Sequence, residues 1–321
     1  MLATLIQGTF AVFLRYMAPL KWENFWGIYS LVALLIGPVL LAFLVNPNFF
    51  QVLTSIPSEN LRYPILFGAL WGVGSILFGL SAVRIGLSLT YSIILGMTTL
   101  IGTLLPPLIN KIIPSGLTLN LLVFGLILIT LGVIVSGYAG VLRDQRNKKI
   151  KRDIIIGLAL AFFSGLFSPL LNVAFITGAS IAAISKNNGV APEYATFLVW
   201  AVVLFGGFVV NFGYVLFLLI KNKTFSLYSK MSRSNFLAAL ASALFWLISS
   251  LMFGISTVKI GKLGPSIAWA IFISFSIVIS NLWGIRFGEW TGAKRALKYQ
   301  IKSIILISIG VGFIAYSALI S

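Results

Sequence analysis

FGLSAVRIG at residues 78–86 returns as FGISTVKIG at residues 253–261, with six of the nine positions identical. Each copy passes from apolar residues to one basic residue and a final glycine. The copies lie 175 residues apart, and the same spacing relates two further pairs of residues, Trp71 and Trp246, and Ser75 and Ser250. A junction repeated in this way predicts a chain built from two related halves.

The composition is typical of a membrane protein. Of the 321 residues, 59% are hydrophobic and 9% are charged, with a mean hydropathy of +1.06, whereas soluble domains carry about 25% charged residues. The chain has no cysteine and no histidine, so a disulfide framework and a thiolate site are excluded. The net charge of +17 does not indicate a nucleic-acid partner, because the basic residues lie in short loops between apolar runs.

Ten apolar segments follow one another along the chain. They predict an all-α integral membrane protein with ten transmembrane helices, because long apolar runs without alternation are typical of helices that satisfy their own backbone. The segments lie at residues 2–17, 25–45, 61–83, 85–109, 117–142, 154–176, 195–220, 235–258, 263–285 and 303–320. The first segment lacks the basic start and cleavage site of a signal peptide, so it is expected to be a short, retained span.

The basic residues predict the orientation in the membrane. All but five of the 23 lysines and arginines follow segments 1, 3, 5, 7 or 9, and the exceptions are Arg62, Lys111, Lys186, Lys259 and Lys262. Cytoplasmic loops are enriched in Lys and Arg. We therefore expect a multi-pass protein of the bacterial cytoplasmic (inner) membrane with both termini outside.

The second half is predicted to be an inverted copy of the first. ILITLGVIVSGY at residues 127–138 resembles ILISIGVGFIAY at residues 305–316, so segments 5 and 10 match as well as segments 3 and 8. We expect a 5+5 inverted repeat: residues 1–142 form the first unit, 143–153 a charged cytoplasmic linker, and 154–321 the second unit. Such repeats are common in secondary transporters, with the substrate site near the membrane midplane. Chance recurrence of Gly, Ile and Phe is the alternative.

Several motifs resemble the L-rhamnose–proton symporter family, which belongs to the ten-span drug/metabolite transporter superfamily. They are KWENFW at 21–26, FGALWGVG at 67–74, GTLLPPLIN at 102–110 and GEWTGAKR at 288–295. The resemblance implies proton-linked uptake of a deoxyhexose across the cytoplasmic membrane, with both termini outside. It also implies an acidic residue and a histidine in segment 9, where this chain has Pro265 and Phe272. The N-terminus is expected to be shorter than in the family.

A sugar site needs side chains that hydrogen-bond hydroxyls and an aromatic ring against the apolar face of the sugar. Within apolar segments such groups are costly unless they face a cavity. The candidate substrate-binding residues are Trp71, Ser75, Thr98, Thr99, Asn172, Asn211, Trp246 and Trp269. The alternatives are hydrogen bonds within one helix for Ser and Thr and interhelical bonds for Asn. For Trp71 and Trp246 the alternative is core packing, and for Trp269, as for Trp200, it is a place at the lipid interface.

Proton coupling needs a group that can change its charge. None of the six carboxylates lies deep in an apolar segment, and Glu23, Glu193 and Glu289 are the coupling candidates because they border segments. Glu23 and Glu193 also suit the first turns of helices 2 and 7, and Glu289 also suits pairing with the basic residues of the last cytoplasmic loop. Sodium coupling and uncoupled transport stay open.

The predicted function is a secondary transporter for a neutral sugar, L-rhamnose or a related deoxyhexose, that works by proton-coupled uptake and alternating access. The alternatives are an exporter of amino acids or other metabolites from the same superfamily, and an uncoupled or sodium-coupled sugar permease. Without His, Cys or paired buried acids, the chain is not expected to be an enzyme, and no cofactor or metal site is expected.

Overall fold

The computed structural model describes residues 1–46, 48–85, 87–144 and 151–320. Within these ranges the chain is helical and contains no strand. The helices are α1 (Leu2–Thr9), α2 (Trp22–Ser30), α3 (Gly37–Val45), α4 (Phe49–Thr54), α5 (Ser58–Ile85), α6 (Leu87–Ile109), α7 (Gly116–Asp144), α8 (Lys151–Phe167), α9 (Leu170–Thr177), α10 (Ala179–Asn187), α11 (Pro192–Lys221), α12 (Arg233–Ile260), α13 (Gly264–Arg286) and α14 (Lys294–Leu319). Turns of 3₁₀ helix cover Phe10–Tyr16 and Phe225–Lys230, and a π-helix covers Leu31–Ile36.

Among the described residues, nine helical stretches are long and apolar enough to cross a membrane. They are α2 to α3, α5, α6, α7, α8 to α10, α11, α12, α13 and α14. The prediction of an all-helical protein with many membrane spans is confirmed. The breaks inside two of the stretches have local causes: the π-helix lies between α2 and α3, and Pro169, which has no backbone N–H, separates α8 from α9.

The predicted first span is shorter than the others. The apolar helix runs over Leu2–Tyr16, with α1 followed directly by the 3₁₀ turns. At the rises of the two helix types this segment is roughly 26 Å long, against about 30 Å for a bilayer core. The segment nevertheless packs inside the bundle, since the Ser242 hydroxyl of α12 donates to the carbonyl of Phe10 at 3.0 Å.

Glycines bring the backbones of several helix pairs into contact, among them α5 with α11 and α7 with α14, which come from the two halves of the chain. A Cβ added to Gly68 of α5 would lie 2.1 Å from the carbonyl oxygen of Val203 in α11. A Cβ on Gly125 of α7 would lie 2.7 Å from the carbonyl oxygen of Gly310 in α14, and the reverse distance is also 2.7 Å. Small residues allow this close approach in membrane helices. At these glycines the two backbones approach each other directly, and Ile314 and Ile129 pack beside the contact of Gly125 with Gly310.

The loops that follow segments 1, 5, 7 and 9 meet at one end of the bundle, here called the basic end. Arg15 and Arg143 pair there with Glu289, and the Asn235 amide at the start of α12 donates to the carbonyl of Tyr16 at 2.7 Å. At the opposite end, the hydroxyl of Ser185 in α10 donates to Asn46, just after α3. This grouping agrees with the alternation expected from the sequence. Residues 145–150 of the predicted linker and Gly86 of the repeat lie outside the described residues.

Candidate functional site

A cavity of about 610 Å³ opens among α1, α5, α6, α7, α13 and α14 and extends to the basic end. Ligand sites in proteins usually have volumes of about 300–1,000 Å³, so a monosaccharide fits. The walls are mixed in character. Aliphatic side chains such as Val133, Ile273 and Ile277 alternate with aromatic and polar ones, and the Phe78 and Tyr91 rings pack edge to face with centroids 4.9 Å apart.

Two amide side chains in the cavity wall have donors without a partner. The Gln300 side chain is only 1% exposed, its Oε1 accepts a hydrogen bond from the Ser136 hydroxyl at 3.1 Å, and its Nε2 bonds to none of the described residues. The Nδ2 of Asn281 is likewise buried and unpartnered in the described part of the chain. Buried donors are usually satisfied, so each of these two nitrogens needs an oxygen acceptor that the described residues do not supply.

A carboxylate between two arginines stands at the mouth of the cavity. Glu289 lies 3.7 Å from the guanidinium nitrogen of Arg15 and 3.7 Å from that of Arg143. The same arginines lie over aromatic rings, Arg15 over Phe287 at 4.0 Å and Arg143 over Trp290 at 4.9 Å. This Arg15–Glu289–Arg143 cluster joins the end of the first segment, the end of α7 and the turn after α13.

Of the three coupling candidates, only Glu289 lines the cavity. Its partners are Arg15 in the first segment and Arg143 at the end of α7, not the basic residues of the last loop. Glu23 is 5% exposed and accepts hydrogen bonds from Asn222 at 3.0 Å and from Thr224 at 2.9 Å. Glu23 and Glu193 occupy the first turns of α2 and α11, as the alternative interpretation of both residues expects.

None of the eight candidate substrate-binding residues lines the cavity. Four form a cluster beside it. The rings of Trp71 and Trp246 stack with centroids 5.5 Å apart, and the Oδ1 of Asn211 accepts hydrogen bonds from Ser75 at 2.7 Å and from Trp26 at 3.2 Å. The bonds from Ser75 and Trp26 therefore tie α5 and α2 to α11, while the Asn211 amide donates within α11 to the carbonyl of Gly207.

The other four candidates lie toward the opposite end. Asn172 donates to the carbonyls of Gly102 at 2.8 Å and Pro265 at 2.9 Å, and Trp269 donates to the carbonyl of Thr98 at 3.0 Å. Trp269 is 1% exposed, so the lipid-interface alternative for it is wrong. The Oγ1 atoms of Thr98 and Thr99 and the Oδ1 of Asn172 are buried without a partner in the described residues. Which of the eight contact substrate stays a prediction.

Sequence reasoning missed Gln300 and Asn281. The predicted tenth segment begins at residue 303, so Gln300 was assigned to the preceding loop, but α14 begins at Lys294 and carries Gln300 in its second turn. Asn281 gave a usable signal, because it is an amide inside an apolar segment in the same way as Asn172 and Asn211.

Comparison with known proteins identifies the class. The family described as "L-rhamnose-proton symport protein (RhaT)" matches residues 3–320. The chain belongs to this family. Its relatives include proteins named "L-rhamnose-proton symporter" from Escherichia coli O1:K1 / APEC, strain SMS-3-5 / SECEC and O45:K1 strain S88 / ExPEC. Each is 28% identical over 299 residues, which cover 87% of this chain and 86% of the relative. These relatives are named as transporters, not as enzymes.

Within the symport family, this chain lacks ionisable side chains at the two positions in α13 where the resemblance implied an acid and a histidine. Pro265 there accepts the hydrogen bond from Asn172 through its carbonyl. Phe272 is buried against Phe253, with ring centroids 5.3 Å apart. A group that exchanges protons therefore has to come from elsewhere in the chain, and the cavity contains Glu289.

Proposed function

We propose that the protein is a secondary transporter that takes up L-rhamnose, or a closely related deoxyhexose, together with protons across the bacterial inner membrane. The match to the symport family over residues 3–320 carries this proposal. The cavity supports it, because neutral amides and aromatic and aliphatic walls suit a neutral sugar with one methyl group. An amino-acid exporter would need a charged site, and both arginines in the cavity are already next to Glu289.

We propose Glu289 as the proton-coupling residue. Proton binding to this carboxylate removes its attraction to Arg15 and Arg143. That change favours separation of the first segment from α7 at the basic end. The position in the cavity supports this role for Glu289 over Glu23, which is bound by Asn222 and Thr224, and over Glu193 at the start of α11.

We also propose the ten-helix 5+5 inverted repeat, with units 1–142 and 154–321, a linker at 143–153 and both termini outside. The helix pairings support it. Contacts of α5 with α11 and α8 are matched by contacts of α12 with α2 and α1, and α7 pairs with its counterpart α14. Trp71 and Trp246, which occupy equivalent repeat positions, stack on each other, as residues beside a two-fold axis would.

For the eight predicted substrate-binding residues we propose a role in the conformer that opens to the opposite end. The unpartnered oxygens of Thr98, Thr99 and Asn172 support this role, because a buried acceptor or hydroxyl without a partner is satisfied when water or sugar reaches it. Asn211 has the weaker case, since its Oδ1 already accepts two hydrogen bonds.

The test is transport by the purified protein in liposomes. Labelled L-rhamnose should accumulate faster with acid outside than at equal pH, and a protonophore should remove the difference. A sodium gradient at equal pH serves as the control. Absence of L-rhamnose uptake under every gradient overturns the sugar assignment. Uptake that follows sodium, or that ignores both gradients, keeps the permease and overturns proton coupling.

A further inference from the structure

We propose that the amide groups of Gln300 and Asn281 form the part of the binding site that recognises sugar hydroxyls. The inference rests on the proposed function and assigns the substrate contacts to residues that the sequence did not single out. Its basis is a coincidence of two independent features. Both amide nitrogens are buried without a hydrogen-bond partner in the described chain, and both residues line the same cavity.

Gln300 is held in position by its surroundings. The Ser136 hydroxyl on α7 donates to Oε1 of Gln300 at 3.1 Å, which orients the amide plane and leaves Nε2 as the free donor. The helices that carry Ser136 and Gln300 are packed against each other through Gly125 and Gly310. A donor fixed in this way loses little conformational entropy when it binds a ligand.

Asn281 lies on α13, which also lines the cavity. Its neighbours in sequence fasten α13 to α1: the Ser280 hydroxyl donates to the carbonyl of Gly8 at 3.2 Å, and Trp283 donates to the Thr9 hydroxyl at 2.9 Å. Asn281 takes no part in these contacts through its Nδ2. The two amides therefore approach the cavity from two walls that are held by different helix contacts.

The chemistry of these donors selects a neutral polyhydroxylated ligand. Each NH₂ group needs an oxygen acceptor, and the hydroxyl and ring oxygens of a sugar supply several at suitable spacing. An anion would be drawn to Arg15 and Arg143, which already face Glu289. The apolar wall of Val133, Ile273 and Ile277 suits the methyl group that distinguishes a 6-deoxyhexose from a hexose. The same cavity wall therefore offers donors for hydroxyls and apolar side chains for the methyl group.

The experiment measures equilibrium binding of L-rhamnose to the purified protein by calorimetry, and KM and Vmax of uptake in liposomes. Gln300→Met keeps the length of the side chain and removes the donor, and Asn281→Leu does the same at the second position. Each change should weaken L-rhamnose binding about tenfold, which is the effect of one well-placed hydrogen bond. The rise should appear in KM while the pH dependence of uptake is retained.

The matched control is Gln51→Leu, at an exposed glutamine of α4 outside the cavity, which should bind L-rhamnose as the native chain does. Deoxy analogues of L-rhamnose provide a second measurement on the native chain. If Gln300 recognises a hydroxyl, the native protein discriminates against the analogue that lacks it, and Gln300→Met binds the two sugars equally. If Gln300→Met does not fold, the same comparison of L-rhamnose with its deoxy analogues is made with Asn281→Leu.

Two results overturn the inference. One is binding within twofold of the native value for both variants. The other is a loss that is equal for L-rhamnose and for every deoxy analogue, which indicates a general distortion of the cavity. If the native protein itself binds no deoxyhexose, the proposed function fails, and that outcome is seen before any variant is measured.

Discussion

The two ends of the bundle interior are packed in different ways. At the basic end, a cavity separates the helices, and Glu289 meets its two arginines only at 3.7 Å. Toward the opposite end, aromatic rings fill the same layer: Phe253 lies 5.5 Å from both Phe175 and Trp269, centroid to centroid. The cavity is therefore open toward the basic end and closed by packing toward the opposite end. The aromatic cluster closes the other side.

Polar groups without hydrogen-bond partners among the described residues are buried on the closed side. The Nε1 of Trp200 and the hydroxyls of Thr98 and Thr99 are buried there without a hydrogen-bond partner in the described ranges. Each such group is destabilising by about 1–3 kcal/mol relative to a satisfied one. Opening this side would hydrate them, so the two conformers differ less in free energy than the aromatic packing alone suggests.

The largest effect is the loss of stability expected when Phe253, on the closed side, is replaced by alanine. Phe78 occupies the equivalent repeat position on the open side and provides the comparison. Phe253 begins one copy of the repeat and is 1% exposed among other rings, whereas Phe78 begins the other copy and lines the cavity. Phe253→Ala should destabilise the protein by about 3–5 kcal/mol, because it leaves a hole in a packed core. Phe78→Ala should cost clearly less. Thermal unfolding in detergent checks both, and equal losses would contradict the contrast between the two sides.

The next effect concerns coupling at the open side. Glu289→Gln removes the charge that holds Arg15 and Arg143 together, so a pH gradient should no longer drive L-rhamnose accumulation. Exchange of labelled for unlabelled sugar at equal pH should continue, because the variant keeps the cavity. Glu193→Gln, in the first turn of α11 away from the cavity, serves as the control. Accumulation by Glu289→Gln at the native rate would remove Glu289 from the proton pathway.

A substitution of Asn211, which lies between the two sides, tests whether this residue joins helices or binds sugar. Asn211→Leu deletes the acceptor shared by Trp26 and Ser75 and should lower stability by about 1–3 kcal/mol. Sugar affinity should change little if Asn211 is an interhelical tie. Calorimetry of unfolding and of L-rhamnose binding separates the two effects. Native stability with lost binding would instead place Asn211 in the sugar site, as the sequence predicted.

The smallest effect is expected from Arg15, whose side chain is 46% exposed. Arg15→Gln should change stability by less than about 1 kcal/mol, because exposed ion pairs contribute little. It should still alter the salt dependence of uptake, since the cluster at the cavity mouth loses one of its charges. A large loss of stability would mean that the cluster stabilises the packing of the helices, rather than acting through its charge at the mouth of the cavity.

The sequence predicted the helices well because long apolar runs determine where a chain crosses a membrane. It was less informative where geometry departs from a straight α-helix. Apolarity alone does not reveal the 3₁₀ turns at Phe10–Tyr16 or the short α10 that continues past Gly178. The predicted tenth segment begins at residue 303, whereas α14 begins at Lys294, because a helix can extend beyond the apolar run that crosses the membrane, and Gln300 lies in that extension.

The candidate site was harder to predict because its walls come from distant parts of the chain. Gln7, Ser136, Asn281 and Gln300 meet only after the two halves pack together. The sequence shows which residues are polar, but not which donors remain without a partner after folding. Asn172 illustrates the limit: it has the right chemistry for a sugar contact, yet both hydrogens of its amide are used by the carbonyls of Gly102 and Pro265.

The contact of Gly125 with Gly310 has a practical consequence for spectroscopy. Because α7 and α14 touch through their backbones, the distance between them is expected to stay constant while other helices move. Because the chain contains no cysteine, thiols introduced at the exposed Ile127 and Ile305 can be spin-labelled without background. The distance between those labels should stay constant with and without sugar, so that any change measured from either of them to α13 reports the motion of α13 itself.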